Sequence, residues 1–440
     1  MGTPEGVGTE LELEVGPVAH GGHFVARHHG RVVFVRHALP GELVRARLTE
    51  AGEGDSFWRA DAVEVLRASP DRVDPPCPWS GPGRCGGCDF QHVRPHRQRS
   101  LKATVVAEQM KRLAGLDVDV WTEPVDGPGV DVDRGLRWRT RVQWAVDASG
   151  RAGLRAHRSH EVVPVDDCRI AHDGVRELDV TGRGWPRWSG VGAVAPASSG
   201  ERLLVLTAPD GAPRRPRVPD VPPGVSVAVT APGGVDRVRG RTWVREQVDV
   251  GDRVRDFRVT GSGFWQVHPG AAPTLVSAVL EALEPRAGER VLDLYAGAGL
   301  FAAALALRVG PSGSVLAVEA SARAVADARR SLHDLPQVQL ERGRVDAVMR
   351  RVARSAAVDL VVLDPPRTGA GRRVVEQVVG LAPRAIAYVA CDPAALARDV
   401  QWFGERGYAL SSLRAFDIFP MTHHVECVAL LVPDAGRVVS

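Results

Sequence analysis

The C-terminal part of the chain repeats one pattern that sharply limits its fold. Short apolar runs of strand length alternate with Ala- and Arg-rich segments that suit helices. The runs are VLDLYAG (291–297), SVLAVEA (314–320), VDLVVLD (358–364) and AIAYVAC (385–391). Alternating β and α units predict a parallel, doubly wound sheet that binds its ligands at the carboxyl ends of the strands.

A glycine-rich turn after the first run predicts a cofactor site. Gly297 and Gly299 allow a sharp turn and close approach of a ligand, and Glu319 ends the next strand, where a carboxylate can accept hydrogen bonds from a ribose diol. The turn reads D-L-Y-A-G-A-G rather than the G-x-G-x-x-G of dinucleotide enzymes, which favours S-adenosylmethionine (SAM) over NAD. Asp364, followed by Pro-Pro, forms a stiff rim that suits a planar base.

The last run and the final predicted strand supply a thiol and a carboxylate. Cys391 lies on the expected ligand-binding edge, beside a helix start that favours a thiolate, although a structural cysteine is the alternative. Glu426 begins the final strand, His423 and His424 are runner-up bases, and Cys427 suits the core. Carbon methylation of uracil needs such a pair, because a thiolate adds to C6 and a base later removes the C5 proton.

The N-terminal part of the chain has a different pattern. Residues 9–67 hold about five short strands, typical of a small oligonucleotide-binding barrel, although an SH3-like module fits equally well. Residues 84–112 and 134–158 are rich in basic side chains, which suit either a polyanion or a solvated surface. Alternation along one strand predicts that three arginines share a face and contact RNA phosphates: Arg137, Arg139 and Arg141.

The chain has six cysteines, and their spacing points to metal or catalysis. The N-terminus lacks the features of a secretory signal, so disulfides are not expected. Four cysteines form a C-x7-C-x2-C group with a distant fourth member: Cys77, Cys85, Cys88 and Cys168. Four thiolates can close a tetrahedral zinc site or hold a [4Fe–4S] cluster, and spacing alone slightly favours zinc.

Four motifs together resemble a known family. DLYAGAGLF, LDPPRTG, VACDPAALARD and FPMTHHVECVALL are similar, in this order, to the RNA 5-methyluridine methyltransferase family, which acts on ribosomal and transfer RNA. The resemblance implies that Cys391 is the nucleophile and Glu426 the base. It also implies cofactor contacts from Gln266 in FWQVH and from Tyr295, Glu319 and Asp364. Leu300 departs from the family, which often has Asn there, so that amide contact is not expected.

The N-terminal segment narrows the resemblance to one branch of the family. Residues 9–67 resemble its TRAM barrel, and this branch carries a [4Fe–4S] cluster on cysteines spaced like these. The resemblance therefore implies an iron–sulfur cluster of structural role, with zinc as the alternative. Barrel and cluster together favour 23S ribosomal RNA over transfer RNA as the substrate.

The expected architecture is a multidomain α/β protein. A TRAM-like β-barrel that binds RNA spans 8–67, and a central α+β, cluster-bearing domain combines 68–96 with 130–258. A doubly wound, SAM-dependent methyltransferase domain combines 97–129 with 259–435. The alternatives are a base N-methyltransferase, which needs no nucleophilic cysteine, and a non-catalytic RNA-binding protein stapled by the cluster.

Composition excludes membrane and fibrous classes. The chain is 44% hydrophobic and 25% charged, as in ordinary globular proteins, and no apolar run is long enough to span a bilayer. We therefore expect a cytoplasmic monomer that binds structured RNA and no membrane.

Overall fold

The computed structural model describes residues 6–211, 217–232, 234–251, 253–352 and 357–434. In this part of the chain the strands form sheets of six, seven and eight strands and one two-stranded ladder. No helix among the described residues combines the length and the apolar character needed to cross a membrane. The expected end of the last domain, residue 435, lies outside the described residues.

The N-terminal unit is a small β structure, as its sequence predicts. Its strands are β1 (Glu10–Glu14), β2 (Val18–Ala19), β3 (His23–His28), β4 (Arg31–Arg36), β5 (Leu43–Glu50) and β6 (Phe57–Arg67). They pair in the order β1-β5-β6-β4-β3-β2. Leu11 and Leu13 of β1 point into the core while the glutamates between them face outward, the alternation of a half-buried strand. Phe90 and Leu101, from later segments, complete this core, so the barrel is packed against the loop and helix that come after it in sequence.

A helix comes after the cysteine-rich loop (residues 70–94). The spacing of Leu101, Val105, Met110 and Leu113 in SLKATVVAEQMKRLAG (100–115) predicts it. α1 (Pro95–Gln109) continues into a π-helical turn (Met110–Ala114), and β7 (Thr122–Pro124) comes next. Pro95 suits the first turn, where a backbone N–H has no helical partner. Lys102 of α1 is buried and donates to the Asp417 carboxylate at 2.6 Å, which fastens the helix to the C-terminal unit.

The central unit contains a mostly antiparallel sheet and a hairpin. Its elements are β8 (Arg141–Val146), β9 (Ala152–Arg155), β10 (Val162–Pro164), α2 (Asp173–Arg176), β11 (Gly190–Val194), β12 (Leu203–Thr207), β13 (Ser226–Ala231), β14 (Gly234–Arg239), β15 (Trp243–Asp249) and β16 (Val254–Thr260). The sheet order is β10-β9-β8-β11-β12-β13-β14. Phe257 and Val259 share a core with Leu275 and Phe301. The expected boundary at residue 258 therefore falls inside β16 and inside a hydrophobic core.

The C-terminal unit has the expected doubly wound character. It comprises α3 (Ala271–Leu283), β17 (Arg290–Leu294), α4 (Leu300–Val309), β18 (Ser314–Glu319), α5 (Ala322–Ser331), β19 (Val338–Arg342), α6 (Val345–Val352), β20 (Leu360–Leu363), α7 (Arg372–Val379), β21 (Ala385–Ala390), α8 (Pro393–Gly404), β22 (Tyr408–Asp417) and β23 (Glu426–Pro433).

The strand order of this sheet sets where ligands can bind. The order is β19-β18-β17-β20-β21-β23-β22-β7, with β19 to β21 parallel and β23 antiparallel to both of its neighbours. β7 joins the far edge parallel to β22, although it precedes the central unit in sequence. The direction of winding reverses between β17 and β20, and such switch points hold ligands at the carboxyl ends of the strands.

Candidate active site

The glycine-rich turn between β17 and α4 is held in shape by a carboxylate. Tyr295, Gly297 and Gly299 all have positive φ angles (67°, 56° and 90°), which explains the glycines. The Glu319 carboxylate accepts hydrogen bonds from the Gly297 N–H at 3.0 Å and the Ser321 N–H at 2.6 Å. Glu319 thus lies beside the turn, at the place where its spacing predicted it. The Tyr295 ring packs against the core on the α7 and α8 side of the sheet.

Two further acids lie around the turn: Asp293 is buried and Asp364 is partly buried. Asp293 is 1% exposed, and its carboxylate has only a weak polar neighbour among the described residues, the Ala302 backbone N–H, which lowers its pKa without meeting the geometry of a full hydrogen bond. Burial, with the nearby charges of Asp364 and Glu319, raises the pKa of Asp293 to about 8. Burial likewise raises the pKa of Asp364 to about 7. Buried oxygens without a full hydrogen bond mark a position for a donor from a ligand, and Asp293 is a site residue that the sequence motifs did not single out.

Gln266 is a buried residue of the connection between β16 and α3. Its neighbour Trp265 packs against Phe257, with ring centroids 5.3 Å apart, and shares a core with Ala296 and Ala298 of the glycine-rich turn. Leu300, the residue that departs from the family pattern, begins α4 and is buried in the same core. Trp265 of the FWQVH segment therefore belongs to the same apolar core as the turn that the sequence assigned to the cofactor.

The predicted nucleophile and base lie on neighbouring strands. Ala390 of β21 pairs with Cys427 of β23, so Cys391 and Glu426 lie one step beyond this pair at the same edge of the sheet. Glu426 is buried, and burial together with the charge of Asp364 raises its pKa well above the usual range. Burial and the charge of Glu426 raise the pKa of the Cys391 thiol to about 11.

The start of α8 lies two residues after Cys391. Asp392, rather than Cys391, caps α8, because its carboxylate accepts the Ala395 N–H at 2.8 Å. Asp392 also adds a negative charge beside the thiol. Burial and the neighbouring acids therefore outweigh any help that the start of α8 gives to a Cys391 thiolate, and that help stays a prediction. Arg367, inside the LDPPRTG motif, acts in the opposite direction and lowers the pKa of both the thiol and Glu426.

The two histidines before Glu426 have other partners. His423 Nδ1 lies 2.7 Å from the Asp89 carboxylate, which belongs to the cysteine-rich loop. His424 Nε2 lies 3.3 Å from an Arg367 guanidinium nitrogen, and burial with the charges of His423 and Arg367 lowers the pKa of His424 to about 3. These contacts make both imidazoles weaker candidates for the base than Glu426.

The four predicted metal ligands, three in the cysteine-rich loop and Cys168 outside it, affect one another's pKa values. Cys88 and Cys168 are packed in one apolar cluster with Trp138 and Ile170. Cys77 raises the pKa of Cys85, and Cys85 and Cys168 raise that of Cys88, each in addition to burial. As the side chains stand, no group of three or more potential ligands in the described part of the chain is arranged to hold a metal ion.

The three candidate RNA-binding arginines do not alternate along one strand. Arg137 has a φ of 62° and precedes β8, so the strand interpretation is wrong for it and for Arg139. Arg137 lies 3.5 Å from the Asp173 carboxylate, and Arg139 lies close enough to Cys85 and Cys168 to lower their pKa values.

Arg141 begins β8 but is not available on a surface. Its guanidinium is buried and donates to Glu246 at 3.2 Å and to the Gly263 carbonyl at 3.2 Å. Burial raises the pKa of Glu246 to about 7, although Arg141 opposes this shift. The three side chains therefore have three different environments instead of one shared face.

Two family models match the chain. Residues 234–433 match the model described as tRNA (Uracil-5-)-methyltransferase, and residues 4–59 match the TRAM domain. An RNA methyltransferase of Streptomyces avermitilis is 54% identical over 436 residues, covering 98% of this chain and 99% of the relative. An RNA methyltransferase of Streptomyces coelicolor is 55% identical over 436 residues, with 98% and 94% covered.

A solved structure has the same fold across nearly the whole chain. It is the Pyrococcus abyssi tRNA (uracil-54, C5)-methyltransferase in complex with S-adenosyl-L-homocysteine, with a TM-score of 0.68, 23% identity, and 95% of this chain and 99% of that chain covered. The doubly wound sheet with its glycine-rich turn, preceded by a TRAM domain, defines a SAM-dependent methyltransferase. The chain belongs to the RNA methyltransferases, and its residues 234–433 match the model of the tRNA (Uracil-5-)-methyltransferase family.

Proposed function

We propose that this protein transfers a methyl group from SAM to C5 of a uridine in structured RNA, as a monomer in the cytoplasm. Cys391 is the nucleophile and Glu426 the base. The observation that carries the proposal is the position of the thiol and the carboxyl on neighbouring strands, at the edge that also holds the glycine-rich turn. A base N-methyltransferase would need neither group, because a ring nitrogen already carries a lone pair.

The residues of this site can be given balanced roles. After loss of its proton, the Cys391 thiolate bonds to C6, and the C5=C6 electron pair moves to form an enolate. SAM, when bound, supplies an electrophilic methyl group to C5. Glu426 as carboxylate accepts the C5 proton, the C5=C6 bond re-forms and the C6–S bond breaks. The thiolate regains a proton, so each cycle releases one proton in total.

The electrostatics of the site favour this order of events. A carboxyl with a raised pKa is a strong base once it is ionised, which suits Glu426 for removing a proton from carbon. The raised pKa of the Cys391 thiol favours its protonated form, so the thiolate needs nearby positive charge to form. Arg367, whose charge favours the ionised forms of both groups, is the residue best placed to assist.

The cofactor contacts follow from the acids around the turn. SAM carries an ammonium group, a sulfonium centre and a ribose diol but no phosphate. Asp293, whose buried carboxylate has only the weak Ala302 N–H contact, suits the ammonium group, and Glu319 suits the ribose diol. The remaining members of the set are Gln266, Tyr295, Gly297 and Asp364.

The proposal also covers the metal group held by the four cysteines and the RNA that is methylated. We propose that Cys77, Cys85, Cys88 and Cys168 hold a structural [4Fe–4S] cluster, with zinc as the alternative. Their four thiols already influence one another, and Arg139 favours two of them as thiolates. The preferred substrate is 23S ribosomal RNA. Transfer RNA is the second candidate, because the matching family model and the solved structure are named for it.

Two substitutions test the mechanism, because they should fail differently. Cys391→Ala should transfer no methyl and form no covalent RNA adduct, since the enolate never forms. Glu426→Gln should still methylate C5 but not release the product, so a methylated protein–RNA adduct should survive denaturing electrophoresis. Cys427→Ala, a change at a buried neighbour outside the machinery, is the control and should keep turnover.

RNA containing 5-fluorouridine should trap the wild-type protein in the same way, because fluorine cannot leave as a cation. Turnover by Cys391→Ala, or active wild-type protein without an adduct on 5-fluorouridine RNA, would favour an N-methyltransferase instead.

A further inference from the structure

The turn between β2 and β3 of the N-terminal barrel reaches the candidate active site. This turn, His20–Gly22, together with Val18 and Ala19, lines a cavity of about 90 Å³ whose other walls include Cys391, Arg367 and His424. The apolar side of the cavity comes from Leu101 and Val105 of α1. The thiol therefore faces a space shared by the barrel, α1 and the C-terminal unit.

Direct contacts hold the turn over the thiol. His20 Nε2 lies 3.2 Å from the Asp392 carboxylate, next in sequence to Cys391. On the other side of the turn, Gly22 has a φ of +78°, and a Cβ built there would lie 2.8 Å from Cβ of His423. The barrel backbone at Gly22 thus approaches the loop before Glu426, at His423, so closely that no side chain fits between them.

The surface beneath Gly22 is itself anchored. The Asp89 carboxylate accepts from the His423 backbone N–H at 3.2 Å and lies 2.7 Å from the His423 ring nitrogen. Arg36 of β4 approaches the other Asp89 oxygen at 3.6 Å. His423 is therefore held by the cysteine-rich loop and the barrel together, and it cannot easily move away from an added side chain at position 22.

A base that reacts with Cys391 must enter this space. An enzyme acting on one base takes it out of the stack and recognises its faces and its edge separately. The cavity offers both kinds of contact, since apolar side chains of α1 suit the ring faces and Arg367 suits a polar edge.

We propose that the β2–β3 turn is a wall of the pocket that receives the extrahelical target pyrimidine, so that the barrel helps to position the nucleotide at Cys391. This proposal rests on the proposed function and adds a role for the barrel beyond attachment to RNA. It makes His20, Gly21 and Gly22 positioning residues, which act by placing the wall and not by chemistry.

The first test uses a pair of glycines in the same barrel. Gly22→Ala should push the turn off His423, whereas Gly30→Ala, at φ +82° with nothing within 4 Å of the added Cβ, has the same backbone strain without the contact. In RNA-free protein, Gly22→Ala should raise the rate at which iodoacetamide alkylates Cys391 severalfold, measured by peptide mass spectrometry. With RNA, it should lower kcat severalfold and leave SAM affinity unchanged. Gly30→Ala should do neither.

A second measurement does not depend on a variant that folds. RNA with 4-thiouridine at its uridines, irradiated in complex with the wild-type protein, should crosslink to the peptide that contains His20–Gly22 and not to the β3–β4 turn at Gly30. The proposal that the β2–β3 turn is a wall of the pocket would fail if the two alanine variants had equal alkylation rates and equal kcat values. It would also fail if the crosslinks avoided the His20–Gly22 peptide. Failure of the proposed function is separate, because the alkylation comparison needs neither RNA nor SAM.

Discussion

Arg367 is a positively charged side chain that influences both members of the proposed catalytic pair, Cys391 and Glu426. Its charge lowers the pKa of the Cys391 thiol and of Glu426, against burial and the neighbouring acids, which raise them. It also contacts His424 at 3.3 Å. The thiol pKa of about 11 means that the reactive thiolate is scarce at neutral pH, so any change in this charge balance should appear directly in thiol reactivity.

We therefore predict that Arg367→Gln slows alkylation of Cys391, because the thiol pKa rises further when the cation is removed. In wild type the alkylation rate should increase about tenfold per pH unit until the pH reaches the thiol pKa, since only the thiolate reacts. The variant should need a higher pH for the same rate. Iodoacetamide labelling and then peptide mass spectrometry give both profiles.

Arg372→Gln is the control, because Arg372 is an exposed residue that pairs with Glu376 on α7. Superimposable profiles for wild type and Arg367→Gln would show that Arg367 does not tune the thiol.

At the scale of elements, the Pro-Pro rim is attached to α8 by one buried carboxylate. Asp399 of α8 accepts hydrogen bonds from the Ala370 N–H at 2.7 Å, the Gly371 N–H at 3.2 Å and the Tyr388 hydroxyl at 2.6 Å. The rim loop carries Asp364 and Arg367, so this carboxylate fixes the position of two site residues that it does not touch. A buried carboxylate with three donors is a rigid anchor.

This anchor predicts different effects for two buried tyrosines. Tyr388→Phe leaves a buried acceptor short of a donor and should destabilise the protein by about 1–3 kcal/mol. Tyr408→Phe should cost a similar amount, since the Tyr408 hydroxyl donates to the Pro383 carbonyl at 2.7 Å in a buried position. Only Tyr388→Phe should also lower kcat, because only Tyr388 supports the rim loop. Denaturant unfolding and single-turnover methylation measure the two effects, and equal kcat values would refute the anchoring role.

For the whole molecule, the sequence was most informative where structure is local. The apolar runs predicted β17, β18, β20 and β21, and the helical pattern predicted α1, because period and length are properties of a single segment. The positions of Cys391, Glu426 and Glu319 were predicted because each lies at the end or the start of a predicted strand. To place such a residue at the edge of the sheet, only the strand itself has to be assigned correctly.

Long-range partners were not predictable in this way. Arg141 forms an ion pair with Glu246, which lies 105 residues away in sequence. His423 is held by Asp89, which comes from a distant loop. The arginines at 137, 139 and 141 alternate in the sequence as they would along a strand, but the positive φ of Arg137 is incompatible with a strand there. The contact between the barrel turn and the Asp392 carboxylate likewise depends on how separate units pack.

The cysteine set joins the cysteine-rich loop to the segment after β10, and the proposed metal is directly measurable. Anaerobically purified protein should be brown and contain about four irons per chain, because four thiolates suit a [4Fe–4S] cluster. Cys168→Ser should lose the colour and the iron, since Cys168 is the ligand that comes from outside the loop. Cys427→Ala, which changes a buried thiol far from the set in sequence, should keep both. A colourless protein with one stoichiometric zinc would exclude the cluster and establish the alternative.

Binding of RNA by the central unit is the last prediction, and the three arginines test it together. A side chain that contacts a phosphate releases counterions, so its loss should flatten the dependence of log affinity on log salt by about one unit. We predict this result for Arg137→Gln and Arg139→Gln. Arg141→Gln should instead leave Glu246 buried without its cation and lower stability without changing the slope. Filter binding at several salt concentrations, with unfolding measured on the same samples, separates the two effects.

If the slope is unchanged for Arg137→Gln and Arg139→Gln, these residues serve only their contacts within the protein: the Asp173 carboxylate for Arg137 and the cysteine set for Arg139.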